Sequence, residues 1–357
     1  MAQLHDTLGN GGFSGHELER FLVRVLFCLF AEDTGIFEPA AFQNFLSHRT
    51  REDGSDLGAQ LNRLFEVLNT SDEKRQKTLD EDLAAFPYVN GALFAERLGF
   101  ADFNRDMRNA LVACCRFQWA RISPAVFGSL FQGIIDDRER RQQGAHYTSE
   151  RDILKVVRSL FLDDLRAEFE TIVGDRSTRR KVRLQDFHEK LRKLQFLDPA
   201  CGCGNFLVLT YREVRRLELD VLRLIAGTQR VLDVRDLCKV DVDQFHGIEL
   251  FEWPVRIAEV ALWLMDHQMN VEVAAAFGES FRRLPLKSTP HIVQGNSLRI
   301  DWQSVLPKQQ CSFILGNPPF VGKHLMTEEQ AADMEAVWGE HVGAGLLDYV
   351  TGWYRKA

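Results

Sequence analysis

The spacing of apolar positions changes once along the chain, near residue 145. Upstream, in "FSGHELERFLVRVLFCLFAEDTGIF", Leu18, Phe21, Leu22, Val25, Leu26 and Leu29 recur at helical spacing. Ser14 and Glu17 have the separation of a capping box, Phe13 and Leu18 suit a hydrophobic staple, and Thr34-Gly35 marks a stop. Further amphipathic stretches cover 38–48, 55–69 and 102–119. The turn residues of "FPYVNGALF", Phe86 to Phe94, interrupt them. No strand period emerges here. The pattern predicts an all-helical domain over 1–120, with no chemistry legible in it.

Downstream, short apolar runs alternate with longer amphipathic segments. Candidate strands are "LQFLD" (194–198), "FHGIEL" (245–250), "HIVQG" (291–295) and "SFILG" (312–316). Each of the first three is followed by a segment able to form a helix. The alternation predicts a parallel, doubly wound α/β sheet in a second domain, 121–357. Ligands of such sheets bind beyond the carboxyl ends of the strands.

The first strand runs into "DPACGCGNFL", Asp198 to Leu207. Gly202 and Gly204 permit a tight turn, and a helix starting near Asn205 offers free N–H groups. The dinucleotide fingerprint would need glycine at 207, where Leu207 stands. Asp198 would repel a pyrophosphate and suits a cationic ligand; an ordinary strand-to-helix turn is the alternative. The second strand ends at Glu249, able to accept from both hydroxyls of a ribose, or simply a surface glutamate. It follows the glycine loop by about 50 residues instead of the usual ~20. The extra length, "RVLDVRDLCKVDVDQ", reads as an inserted turn and helix. The third strand leads to "GNSL", where Asn296 could meet an adenine amino group. An adenine, a ribose, a positive centre and no phosphates describe S-adenosylmethionine.

The fourth run ends in "GNPPFVGK". Pro318 and Pro319 lack an N–H and fix φ, so they stop the ladder and leave a rigid rim. On that rim stand the amide of Asn317 and the ring of Phe320, a tray for something planar.

Composition narrows the reading. Hydrophobic content of 45% and charged content of 27% are globular values, so a packed core is expected. No apolar run approaches the roughly 18 to 20 residues of a membrane span, and "MAQLHDTLGNGG" is no signal peptide. Seven cysteines without regular spacing fit a reducing cytoplasm, and no paired C-x-x-C offers a zinc site, so no metal is expected. They read as structural thiols. A formal charge of −7 excludes a chain that wraps nucleic acid over its whole surface but allows a local basic groove. "RSTRRKVR", Arg176 to Arg183, with Lys190, Arg192 and Lys193 after it, is the densest basic segment; it is either a solvated face or a phosphate contact.

Together these motifs resemble the amino-methylating DNA methyltransferases of the gamma arrangement, in which cofactor motifs precede Asn-Pro-Pro-aromatic. "GAHYTSERDIL", Gly144 to Leu154, is similar to that family's first cofactor element. The resemblance implies a Rossmann-like class I fold binding S-adenosylmethionine. Ala145, His146, Tyr147 and Thr148 would line its methionine end, and Ser149 would cap the next helix. Asp198, Ala200, Gly202, Gly204, Asn205, Glu249, Asn296 and Ser297 would complete the cofactor pocket. Cys203 stands where serine is usual, and Asn296 where many relatives have aspartate. "LLDYVTGWYRKA" resembles the next helical motif, with Asp348 and Tyr349 beside the target pocket. "FLVRVLFCLFAEDTGIF" and "FPYVNGALF" resemble the helical spacer of MmeI-type, type IIG-like single-chain restriction–modification proteins. Such proteins also carry a nuclease and a target-recognition domain, which the resemblance implies are missing partners of a truncated chain. "SDEK", Ser71 to Lys74, lacks the strand context of a metal-dependent nuclease.

The implied reaction is methyl transfer to the exocyclic N6 of an adenine in double-stranded DNA. Asn317 Oδ1 and the Pro318 carbonyl would accept from the amine, Pro318 and Pro319 would stiffen the site, and Phe320 would stack on the extruded base. Such stacking is worth on the order of 1–3 kcal/mol. Two rivals remain at this stage: methylation of a protein glutamine or an RNA amine, and a cofactor-binding scaffold without catalysis.

Overall fold

Helix ends leave unsatisfied backbone groups, and early in the chain charged side chains satisfy several of them. The computed structural model describes residues 1–89, 92–94, 97, 99, 102–122, 124, 148–226, 238–278, 290–339 and 347–357. They divide into two compact units, one from residues up to 122 and one from residue 124 onward.

The first unit is helical. Its central helix, Gly15–Asp33, buries Phe21, Leu22, Val25, Leu26 and Leu29, the residues of the periodic stripe. It stops as predicted, with Thr34 N–H on Phe30 O at 3.0 Å and Gly35 at φ +78°. The capping box does not form. Ser14 sits at the N-cap without a side-chain bond, and the Glu17 carboxylate lies against Gly99 instead. Glu32 accepts from Phe42 N–H and Gln43 N–H at 2.7 and 3.0 Å, capping the start of Ala41–Arg49. Arg108 donates to Leu46 O at 2.9 Å and closes the end of the same helix. Arg75 does this for Leu57–Leu68, donating to Val67 O and Thr70 O, both at 3.0 Å. Phe37 and Phe86 meet edge to face at 5.0 Å within this core. The Ala2–Asn10 helix had no stripe long enough to be predicted. Asp72–Lys74 is a 3-10 turn.

The second unit holds four parallel strands, β1 (Phe196–Asp198), β2 (Phe245–Glu249), β3 (His291–Gln294) and β4 (Phe313–Ile314). Their order is β3-β2-β1-β4, so the winding reverses between β1 and β4. This is a Rossmann-like α/β sheet with its topological switch point at the ends of those two strands. Phe196 stacks on Phe245 at 4.9 Å and on Phe313 at 5.8 Å, a ladder of rings across three strands. Helices Asn205–Ala226 and Glu252–Phe277 follow β1 and β2. No helix follows β3, contrary to the alternation; 295–312 contains only the 3-10 turn Trp302–Ser304. The Trp302 indole N–H folds that segment back onto Ser297 O at 2.9 Å, and Pro307 cannot continue a helix. Of the inserted stretch after the glycine loop, Val242–Gln244 is a 3-10 turn closed by an Asp241–Gln244 capping box, while 230–237 lies outside the described residues.

A buried ionic cluster braces the sheet's helices. Arg215 pairs with Glu218 at 2.7 Å and donates to Asn270 Oδ1 at 2.6 Å, and His188 Nε2 lies 2.8 Å from Glu218. Glu218 also accepts from the Lys239 and Val240 N–H groups at 2.6 and 2.9 Å, fixing where the chain re-enters before β2. Among the described residues no helix is long and apolar enough to cross a membrane.

Candidate cofactor and target-base site

At the carboxyl end of β1, Asp198 is 1% exposed, and its Oδ1 accepts from Ala200 N–H at 3.0 Å. Burial pushes its pKa up to about 8, with the nearby Glu249 carboxylate adding to the shift. The chain leaving β4 passes directly over this carboxyl. Gly316 lies at φ +152°, and a Cβ there would stand 2.3 Å from Asp198 Oδ1. Only glycine fits, so the two halves of the site meet where the winding reverses.

The glycine loop turns tightly, with Gly202 at φ +53° and Gly204 at φ +81°. A Cβ on Gly204 would come within 2.8 Å of Ala258 Cβ on the helix after β2. Asn205 opens its helix with a buried Oδ1 that has no hydrogen-bond partner. Glu249 is drawn into the loop: Oε2 accepts from Gly202 N–H at 2.9 Å and Oε1 from Phe251 N–H at 3.2 Å. Burial raises its pKa too. Two costly carboxyls and an orphan acceptor fit a ligand that is cationic and rich in donors.

Behind β3, Asn296 Oδ1 accepts from Leu298 N–H at 2.9 Å and its Nδ2 donates to Asp333 at 2.7 Å. These bonds fix the amide and leave Oδ1 a second lone pair for an adenine amino group. Ser297 is buried, its Oγ accepting from Trp302 Nε1 at 3.1 Å.

The tray behind β4 is pinned at both ends. Leu315 N–H extends the ladder to Leu197 O at 2.9 Å. Asn317 Nδ2 then donates to Thr148 Oγ1 at 3.0 Å, joining the first cofactor element to the Asn-Pro-Pro-Phe motif. Phe320 is 56% exposed. Val321 N–H donates to Asp348 Oδ1 at 3.2 Å and its carbonyl accepts from Tyr349 N–H at 3.0 Å. Asp348 and Tyr349 therefore anchor the backbone behind the ring; the Tyr349 hydroxyl is turned to Asp333 at 2.9 Å. Ser149 caps the helix Glu150–Val157, accepting from Asp152 N–H at 3.2 Å. Ala145, His146 and Tyr147 lie outside the described residues.

Three contributors had no sequence signal. Trp353 Nε1 donates to Pro199 O at 3.0 Å and holds the glycine loop from the last helix. Lys356 Nζ donates to Ser297 O at 2.7 Å beneath the loop behind β3. Asp333 is the third. Trp353, Lys356 and Asp333 reach Pro199, Ser297 and Asn296 across 154, 59 and 37 residues of sequence, to partners that no local pattern names. Among the described residues no cluster of His, Cys, Asp or Glu is arranged for a metal. Burial raises the thiols of Cys201 and Cys115, the latter to about 12, so both stay protonated and inert. In the basic segment Arg183 pairs with Asp175 at 2.8 Å, and Lys190 with Glu168 at 2.5 Å.

Residues 174–357 match the family model of the MmeI DNA-methyltransferase domain, and 16–94 that of the MmeI helicase spacer domain. The chain is 36% identical over 362 residues to DNA methyltransferase A of Bacillus subtilis, covering 99% of this chain and 40% of that protein. A putative type II restriction enzyme and methyltransferase of Methanocaldococcus jannaschii is 21% identical over 298 residues, 70% of this chain and 25% of that one. The fold is similar to a DNA-bound structure of the type IIL restriction–modification enzyme MmeI. The TM-score is 0.91 at 57% identity, over 99% of this chain and 47% of that one. The chain thus spans less than half the length of these relatives.

Proposed function

The chain belongs to the family of MmeI DNA-methyltransferase domains, and we propose that it moves a methyl group from S-adenosylmethionine to N6 of an adenine extruded from double-stranded DNA. The observation that carries this reading is the meeting of Gly316 with Asp198, which sets the Asn-Pro-Pro-Phe tray against the acidic cofactor end. S-adenosylmethionine, when bound, supplies an electrophilic methyl on a sulfonium centre. Asp198 and Glu249 supply the negative charge and the ribose acceptors, and the free Oδ1 of Asn205 accepts a further donor. Thr148 lies at the methionine end, to which the family resemblance also assigns Ala145, His146 and Tyr147.

An adenine amine is a poor nucleophile because its lone pair is delocalised into the ring. Asn317 has given Nδ2 to Thr148, which leaves Oδ1 to accept one amine N–H. The Pro318 carbonyl accepts the other, and Pro318-Pro319 holds both acceptors still, so no reorganisation is needed. Phe320 offers an exposed ring for the base to stack on. The matched DNA-methyltransferase family favours DNA over a protein glutamine or an RNA amine.

Within this reading 1–120 is the helical spacer and 121–357 the methyltransferase core. The chain acts in cytoplasmic restriction–modification. The test is transfer of labelled methyl to duplex DNA, followed by nucleoside analysis. N6-methyladenine is expected, and Asn317→Ala should lower the rate at least ~100-fold while cofactor affinity stays within about threefold. Label in protein or RNA but never in duplex DNA would overturn the substrate; unchanged turnover in Asn317→Ala would overturn the catalytic assignment.

A further inference from the structure

One buried carboxylate reaches both sides of the site. Asp333, on the helix Glu328–Trp338 and 2% exposed, accepts from Asn296 Nδ2 at 2.7 Å, Tyr349 Oη at 2.9 Å and Arg299 Nε at 2.5 Å. The neighbours of Asn296 leave its amide one orientation. Leu298 N–H can only donate and needs Oδ1, which turns Nδ2 onto the Asp333 carboxyl oxygen. A flipped amide would face donor with donor and acceptor with acceptor. Tyr349 passes the constraint onward, since its N–H holds Val321 O at 3.0 Å directly behind Phe320.

We propose that Asp333 is a positioning residue that sets the loop behind β3 and the tray behind β4 from a single carboxylate, so that the cofactor side and the base side of the site are oriented together. The names of the two sides rest on the proposed function; the linkage between them rests on the hydrogen bonds alone. Asn296 and Asp333 are then a matched pair. An aspartate at 296 would set two carboxylates at hydrogen-bond distance, a pair that repels unless it takes up a proton, which the native amide-carboxylate bond does not require. Exchanging acid and amide between the two positions restores the bond with its donor reversed.

The experiment compares Asp333→Asn, Asn296→Asp, the double exchange and Tyr349→Phe in the intact chain. Calorimetry with S-adenosylmethionine, and extrusion of 2-aminopurine from duplex DNA, read the two sides. Amide hydrogen exchange at Leu298 and Tyr349, the N–H groups that donate to Asn296 Oδ1 and Val321 O, reads them without any ligand. Each single exchange should weaken cofactor binding at least tenfold and deprotect Leu298, and Asp333→Asn should deprotect Tyr349 as well. The double exchange should recover affinity to within threefold and restore protection. Tyr349→Phe should deprotect the amide at 349 and lower extrusion, with cofactor affinity within twofold. A double exchange no better than the worse single variant would overturn the pairing. A Tyr349 amide unmoved by Asp333→Asn would overturn the linkage. If the unmutated chain bound no S-adenosylmethionine, the proposed function would fail; recovery or non-recovery of protection would still decide for or against Asp333.

Discussion

Asp198 is a carboxyl that the fold makes costly to ionise, and that cost should be visible in pH titrations. Its folded pKa, about 8, lies above the ordinary carboxylate value. The group therefore stabilises the ligand-free fold when protonated, fully below about pH 4, and the contribution is lost as pH rises toward 8. A cationic ligand prefers the ionised form, so affinity for S-adenosylmethionine should run the other way. It should strengthen from pH 6 to pH 8, by at most about tenfold per unit. Calorimetry across that range checks this, and Asp198→Asn should flatten the profile. Gly316→Ala should be severe, because its Cβ would stand 2.3 Å from Asp198 Oδ1 at φ +152°. We expect a loss of roughly 2–4 kcal/mol in chemical denaturation and no measurable cofactor binding. Asp198 and the glycines were legible in sequence because their chemistry is local, a strand end and a forced turn. The fixed amide of Asn296 was not, since it depends on Leu298 and on Asp333, one near and one far.

Secondary elements were legible from apolar runs bounded by turn residues, although only β1 and β2 are buried along most or all of their length while β3 and β4 are half-buried to exposed. The four strands lie within the four predicted runs, and the Gly15–Asp33 helix stops at its predicted residue. The missing helix behind β3 shows the limit: Pro307 and the Trp302–Ser297 bond decide the segment, and only the proline is visible in advance. Between elements, two contacts carry measurable weight. Trp353→Phe keeps the ring and removes the bond to Pro199 O, so it should cost about 1 kcal/mol of stability and loosen cofactor binding a few-fold. Glu218→Gln leaves Arg215 buried beside a neutral partner and also weakens the hold on His188 and Val240. We expect roughly 3–5 kcal/mol from denaturant titration, more than any exposed pair on the same helices would give.

For the whole molecule, five of the six tryptophans lie in the second unit, so intrinsic fluorescence reports mainly on the unit that carries the site. S-adenosylmethionine at about 100 times its Kd should stabilise that unit by about 2.7 kcal/mol and raise the fluorescence-detected Tm. An unmoved Tm would mean that the pocket binds nothing. The change of apolar spacing near residue 145 foretold a helical part and an α/β part, and the reversal of strand order gives the second part its binding edge.

The same reversal has a kinetic side. β1 and β4 are neighbours in space, yet Gln195 and Ser312, which bond across them, are 117 residues apart. Closing so long a loop costs entropy before any contact repays it, and parallel pairings of this separation are slow to find. The strand that delivers Asn-Pro-Pro-Phe thus docks onto a sheet whose cofactor half can already pair through β1 and β2. Pairing of β1 with β2 is therefore expected to precede docking of β4, and pulsed hydrogen exchange during refolding, read at the amides of Ile248 and Leu315, checks that order.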